Sequence, residues 1–326
     1  MNPSHKLSNM PLEDMTGKVA IVTGSNTGIG KATAAHLCSA GAHVILACRS
    51  LDKAEEAAKE ISAGASGTAE AMRLDLSDLQ SVEAFAKEFL KKHDKLHALV
   101  NNGGLNTDGD YKGPKTTSQG FEICFGTNHL GHFALTLLLL PTLKKSGHAR
   151  IVNLSSITIW FSSTKWHNYY LGPAKTKGNY ACSKMMVSVF GKELARRLKD
   201  TDITVVNADP GYVASTIWRN DALMAKVANI LALSPEQGAR TSIEAVRRID
   251  VDSGALLLPF TFAFSSIMKT APSMGYNLGM PLLSKMFHGC KPDIYPKKAC
   301  DASSAEALFE LSYKCLKEHN IKVEEV

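Results

Sequence analysis

This chain of 326 residues has no CxxC pair, and its seven cysteines (38, 48, 124, 182, 290, 300 and 315) are odd in number. That excludes a complete disulfide framework and the usual zinc spacing, and it favours free thiols in a reducing compartment. Also absent is any apolar run of about 18 residues, so no segment is expected to cross a membrane as a helix. The opening string MNPSHKLSNMPLEDMTGK lacks the apolar centre of a secretory signal. A cytoplasmic chain is therefore expected, with peripheral contact at an intracellular membrane left open. No basic stripe accompanies the net charge of +6: pairs such as Lys91-Lys92 and Arg196-Arg197 lie scattered. Nucleic acid is thereby a poor candidate partner. His129 and His132 stand three apart with no third ligand in view, so no metal is expected and both read as packing residues.

What is present is repetitive. After a polar extension over residues 1–16, short apolar runs alternate with helical segments. Strands are expected at 19–23, 44–48, 71–75, 98–101, 151–154 and 203–209. Helices are expected at 29–39, 51–62, 79–93, about 119–145 and about 179–199. Runs such as VAIVT, VILAC and ITVVN are apolar throughout, as strands are when helices cover both faces of a parallel sheet. Ser77 with Gln80, and Ser234 with Gln237, have capping-box spacing. No linker interrupts the pattern. The reading is one doubly wound, Rossmann-type α/β domain over 17–326, carrying an apolar insertion at about 253–292.

Chemistry enters at two strings. The first, Thr23-Gly24-Ser25-Asn26-Thr27-Gly28-Ile29-Gly30, closes a strand and opens a helix. Glycines there admit positive φ and let a pyrophosphate reach backbone N–H groups at the positive helix end. The spacing G-x3-G-x-G differs from the G-x-G-x-x-G dinucleotide fingerprint. At the end of the second strand, where NAD-selecting proteins usually carry a carboxylate, the chain has Cys48-Arg49-Ser50. A guanidinium fork suits a 2′-phosphate, and Lys31 in the first helical turn opposes the helix dipole unless an anion is near. NADP(H) is the expected cofactor. Asp75 suits either an adenine amino group or the start of the following helix.

The second string is Tyr180-Ala-Cys-Ser-Lys184, which opens a helix after a strand ending in Ser155-Ser156. At i and i+4 the phenol and the ammonium share a helix face. The ammonium favours phenolate, drawing a pKa of about 10 toward working pH. Such a tyrosine can give or take a proton while hydride moves. Cys182, between them, points to the other side of the helix and reads as core.

With these strings in view, the chain resembles the short-chain dehydrogenase/reductase family over roughly residues 17–250. TGSNTGIG is similar to its cofactor turn, and Asn101-Asn102-Gly103-Gly104 to its NNAG, with glycine where alanine is usual. Thr127-Asn128-His129-Leu130-Gly131-His132-Phe133, Leu154-Ser155-Ser156, Tyr180-x3-Lys184 and Pro210-Gly211 follow in the family's order. Asp209 stands where the family often has histidine. The strings ACRS and TNHLGHF look most like the retinol-dehydrogenase-like branch. The resemblance implies that Tyr180 is general acid/base and that Lys184 lowers its pKa and binds the nicotinamide ribose. It also implies that Ser156 holds the substrate oxygen and that Asn128 holds a water relaying protons to Lys184. Gly24 to Lys31, Arg49, Asp75, Asn102, Pro210 and Gly211 would line the cofactor, and a homodimer is one arrangement the family suggests.

The substrate side is read from aromatic and apolar segments that follow strand ends. Trp160, Phe161, Trp166, Tyr169, Tyr170, Tyr212 and Trp218 suit a small lipophilic carbonyl or alcohol, or else pack on one another. No acidic residue occurs between Asp252 and Asp293, while Lys269, Lys285 and Lys291 do. Residues 253–292 therefore read as an apolar flap touching a membrane surface, or as an extra layer packed on the core or a dimer partner. Two other functions stay open: a pigment double-bond reductase of the protochlorophyllide-reductase type, and a noncatalytic NADPH-binding scaffold.

Overall fold

The computed structural model describes residues 14–107, 111–156, 158–159, 162–163, 179–211, 213, 233–247, 251–257, 295–296, 299 and 301–326. Seven strands make one sheet: β1 (Val19–Thr23), β2 (His43–Cys48), β3 (Thr68–Arg73), β4 (Ala98–Asn101), β5 (Arg150–Leu154), β6 (Thr204–Ala208) and β7 (Leu256–Leu257). Their spatial order is 3-2-1-4-5-6-7 and every pairing is parallel. The helices are α1 (Gly28–Ser39), α2 (Leu51–Ser62), α3 (Leu79–Lys92), α4 (Gly131–Ser146), α5 (Asn179–Arg197), α6 (Pro235–Arg247) and α7 (Ala302–Glu318). A π-helical turn, Phe125–Leu130, leads into α4. The expected doubly wound α/β domain is what forms.

The continuous apolar strands have a direct cause. Alternate residues of each strand feed two different cores. Ile21, Ile45, Leu99, Ile151 and Val205 meet Phe85, Phe133 and Phe190 on the face covered by α3, α4, α5 and α7. Ala20, Val22, Leu46, Val100 and Val206 meet Leu37, Ala54 and Ala245 on the face covered by α1, α2 and α6. Phe309 of α7 packs edge-on against Phe133 at 5.0 Å, closing the first face.

Four local expectations change. β3 spans Thr68–Arg73 rather than 71–75, because an edge strand needs few apolar residues and Leu74 and Leu76 turn into the core. Asp78, not Ser77, caps α3: its carboxylate accepts from Gln80 N, while Ser77 Oγ donates to Asp75 Oδ1. The helix expected over about 119–145 begins as the π turn. Of the stretch expected as an apolar insertion over about 253–292, Leu256–Leu257 pairs with β6 and belongs to the sheet, and residues 258–292 lie outside the described residues. The Ser234–Gln237 capping box does form, with Ser234 N donating to Gln237 Oε1 at 2.8 Å and Gln237 N to Ser234 Oγ at 3.3 Å. Among the described residues no helix is long and apolar enough to cross a membrane.

Candidate active site

The strand order reverses between β1 and β4, and ligands of open α/β sheets bind at such a point beyond the strands' carboxyl ends. The glycine turn sits there. Gly24 has φ +63°, and a Cβ on it would stand 2.8 Å from Gly103 Cα in the segment leaving β4. Gly30 is constrained by space: a Cβ would lie 2.5 Å from Asn102 Nδ2 and 2.6 Å from Gly24 O. Asn102 braces the turn from below, its Nδ2 donating to Thr23 O at 2.7 Å and Gly24 O at 3.3 Å. Ser25 is fully buried, its Oγ donating to Val22 O at 2.7 Å, so its hydroxyl is spent within the turn. Asn26, Gly28 and Ile29 are half-buried and Thr27 is exposed at the N-terminus of α1.

Tyr180 and Lys184 open α5 beside this crevice. Lys184 is buried, and its Nζ donates to Leu154 O at 2.8 Å. That ammonium lies 5.9 Å from the centroid of the Tyr180 ring. Burial pushes the Lys184 pKa down to about 8, opposed by the charges of Asp209 and Cys124. The two serines ending β5 separate by geometry. Ser155 Oγ is 2.6 Å from Ser188 Oγ inside α5 packing, whereas among the described residues Ser156 Oγ meets only the local N–H of Thr158, at 3.3 Å. Asn128 sits on the π turn, a feature frequent at functional sites. Its Oδ1 accepts from Leu105 N at 2.8 Å, and its Nδ2 donates to Leu105 O and Ser183 Oγ, each at 2.9 Å. Gly104 keeps a gap open between these groups: a Cβ there would be 3.1 Å from Asn128 Oδ1 and 3.6 Å from Lys184 Nζ.

Residues 18–225 match the family model described as short chain dehydrogenase. The chain belongs to that family. Mouse retinol dehydrogenase 12 is 38% identical over 306 residues, spanning 92% of this chain and 86% of that one. Mouse retinol dehydrogenase 11 is 44% identical over 234 residues, spanning 70% and 73%. The chain thus falls in the retinol-dehydrogenase-like branch. Among solved structures, the Pseudomonas aeruginosa RhlG/NADP active-site complex superposes with a TM-score of 0.62 at 25% identity, covering 76% of this chain and 96% of that one. The Brucella melitensis 3-ketoacyl-(acyl-carrier-protein) reductase complexed with NADH gives 0.58 at 25% identity, covering 74% and 96%. This short chain dehydrogenase is accordingly an oxidoreductase of a nicotinamide-dependent family, and its structural neighbours include complexes of both NADP and NADH.

The remaining site residues divide. Arg49 is exposed just beyond β2. Lys31 is not left for a ligand alone, because Glu60 of α2 pairs with its ammonium and answers the helix-dipole conflict from within the chain. Asp75 Oδ1 accepts from Ser77 N at 3.0 Å and Ser77 Oγ at 2.6 Å, the helix-start half of its reading. Pro210 and Gly211 leave β6, with Gly211 N donating to Asp209 Oδ1 at 2.8 Å. Cys182 is buried in the aromatic core, and His129 lies in the same core with Nε2 2.9 Å from Ser312 Oγ. The one metal-capable group among the described residues is His43, Glu70 and His93, at the opposite edge of the sheet. There Lys92 Nζ already holds Glu70 at 2.7 Å, so the cluster is an ion-pair network. Trp160, Phe161, Trp166, Tyr169, Tyr170, Tyr212 and Trp218 lie outside the described residues. Periodicity and motif spacing give no hint of the Leu105 and Ser183 contacts, which depend on the π turn.

Proposed function

We propose that this chain is an NADPH-dependent oxidoreductase acting on a small lipophilic carbonyl or alcohol. The observation that carries it is the buried Lys184 ammonium beside the Tyr180 phenol, across a glycine-sized gap from Asn128 and next to the glycine turn. The site fits a dinucleotide: Gly24 and Gly30 let the turn close tightly on Gly103 and Asn102, Gly104 keeps a gap beside Asn128 and Lys184, and Arg49 supplies an exposed cation without a competing acid in Cys48-Arg49-Ser50. The backbone of Gly24 to Gly30 would hold the pyrophosphate, Arg49 the 2′-phosphate and the second oxygen of Asp75 the adenine amino group. Asn102 acts by bracing the turn, and Pro210-Gly211 would border the nicotinamide end. When bound, the dinucleotide supplies or accepts the hydride.

The chain's own groups handle the proton. Tyr180 Oη gives a proton to the substrate oxygen in reduction and takes it back in oxidation. Lys184 favours the phenolate form electrostatically and has a second partner in Leu154 O, which fixes where its charge sits. Ser156 Oγ donates to the same substrate oxygen. Asn128 holds the Leu105 backbone against α5 and would keep the water that feeds protons to Lys184. A lipophilic substrate is supported by the aromatic strings around Trp160 and Trp218 and by the retinol dehydrogenases among the relatives. The apolar, acid-free residues 258–292 support docking on a membrane surface, from which such a substrate would enter.

A guanidinium–phosphate contact contributes about 1.5–3 kcal/mol, or about tenfold and more in preference. The test is kcat/KM with NADPH and NADH over retinoids, steroids and simple aldehydes, in the parent and in Arg49→Ala. The expected parent prefers NADPH and loses most of that preference on substitution. A preference unmoved by Arg49→Ala would refute the cofactor assignment.

A further inference from the structure

Building on that oxidoreductase reading, we propose that His132 is a positioning residue whose neutral ring ties the glycine turn to the π turn of Asn128. The cofactor cradle and the Tyr180 helix are thereby held in one register.

The bonding is determined by counting donors. Thr23 Oγ1, at the end of β1, accepts from Asn102 N at 2.9 Å and from Gly103 N at 2.8 Å. A hydroxyl has two lone pairs and one proton, so these bonds leave only its proton to place. His132 Nε2 is 2.8 Å away, while Val100 O is at 3.4 Å; the proton goes to the ring nitrogen. On the far side of the ring, Nδ1 lies 2.9 Å from the main-chain oxygen of Asn128. A carbonyl only accepts, so Nδ1 carries the hydrogen. Each contact independently demands the same tautomer, protonated at Nδ1 and bare at Nε2. Burial, aided by the nearby Lys184 charge, pushes the His132 pKa down to about 4, which keeps the ring neutral.

The bonds continue in one direction. Asn128 Nδ2 donates to Ser183 Oγ at 2.9 Å, and Ser183 Oγ donates to the main-chain oxygen of Tyr180 at 2.7 Å. Thr23, His132, Asn128 and Ser183 therefore form an oriented, buried chain from the phosphate turn to the first turn of α5. A network saturated at every member holds a single arrangement more firmly than packing alone.

Two measurements test it. In uniformly 13C,15N-labelled protein saturated with NADPH, the His132 ring signal is assigned through its bonded carbons to the backbone of the unaltered chain. It should report the neutral Nδ1–H form from about pH 6 to about pH 9; a neutral Nε2–H form or a charged ring overturns the proposal. The second measurement uses partial mimics, because asparagine places a donor near Nδ1 and glutamine reaches the place of Nε2. His132→Asn should keep turnover within about threefold while weakening NADPH binding about fivefold. His132→Gln should do the reverse, keeping NADPH binding and lowering turnover about tenfold. Equal losses in both variants, or none in either, would make His132 a packing residue. If neither variant folds, the tautomer of the unaltered protein decides. The tautomer and the NADPH titration need no turnover, so failure to reduce any carbonyl would count against the proposed function alone.

Discussion

Replacing Gly191 by alanine sets two known effects against each other at a point where α5 meets the sheet. Asn101, Asn153 and Asn207 stand side by side in register on β4, β5 and β6. Gly191 lies directly over the last two: a Cβ there would be 2.2 Å from Asn207 Oδ1 and 2.8 Å from Asn153 Nδ2. Asn207 cannot swing aside, because its Nδ2 is held by Ser188 O at 2.9 Å and by the buried Tyr295 hydroxyl. Alanine favours the helix by about 1 kcal/mol over glycine. An overlap of this size in a packed core costs about 1–3 kcal/mol. The overlap wins, and the remedy open to the protein is to lift α5 away from β6. That helix carries Tyr180 and Lys184, and a 1 Å misplacement at a reacting centre can lower turnover by about 10². Thermal melting and steady-state turnover are the assays, with Asn207→Ser added to shorten the obstructing side chain. Gly191→Ala alone should melt lower and turn over slowly, and the double variant should recover part of both losses. A more stable and fully active Gly191→Ala would show that helix propensity dominates and that the asparagines yield.

Tyr180→Phe keeps the ring and removes the proton carrier, so turnover should fall by about 10² or more while NADPH still quenches protein fluorescence; near-parental turnover would remove Tyr180 from the mechanism. With Lys184 held at about 8, kcat/KM should decline as pH rises through that value, whereas stability should rise from about pH 8 toward the ordinary lysine value of 10.5. The opposite signs arise because the unfolded chain binds the extra proton throughout that window, a linkage of about 3 kcal/mol at most; profiles that move together would refute it. Phe260, Phe262 and Phe264 changed to serine should abolish flotation with anionic vesicles at low salt, and absence of flotation by the parent chain would leave the packing alternative for residues 258–292.

Strand positions were legible because burial on both faces writes apolar runs such as VAIV and VILAC. Helix starts were legible at α1, α2, α3 and α5, but the capping residue only where it had no rival. Ser234 had none, whereas Ser77 competed with Asp78 one residue on and lost. The two-residue β7 carries too little pattern to announce itself, and its pairing with β6 is a tertiary choice. α7 did leave a signal, with Ala305, Leu308, Phe309, Ser312, Cys315 and Leu316 recurring at helical spacing. At the site, the glycine turn and the Tyr180–Lys184 pair could be read as strings because both act through local spacing. The pairings of Lys31 with Glu60, Asn128 with Leu105 and His132 with Thr23 could not, since each spans more than twenty residues of intervening chain.

The described chain is fastened on both sides of residues 258–294. On one side Leu257 is paired to Ala208 and its oxygen accepts from Asp209 N at 2.9 Å. On the other, the fully buried Tyr295 donates its hydroxyl proton to Gly254 O at 3.0 Å, three residues before Leu257. The fastenings described use atoms of the sheet, of the turn before it and of Tyr295. Such a joint behaves as a socket for a cassette. Doubling the length of a closed loop costs only about 0.6 kcal/mol in chain entropy, so length is a weak constraint there. A lineage can exchange the whole stretch in one event, by recombination as readily as by point substitution, while strand pairing and proton chemistry pass unaltered to the descendant. Grafting between chains that share the two fastenings is the engineering counterpart of that history.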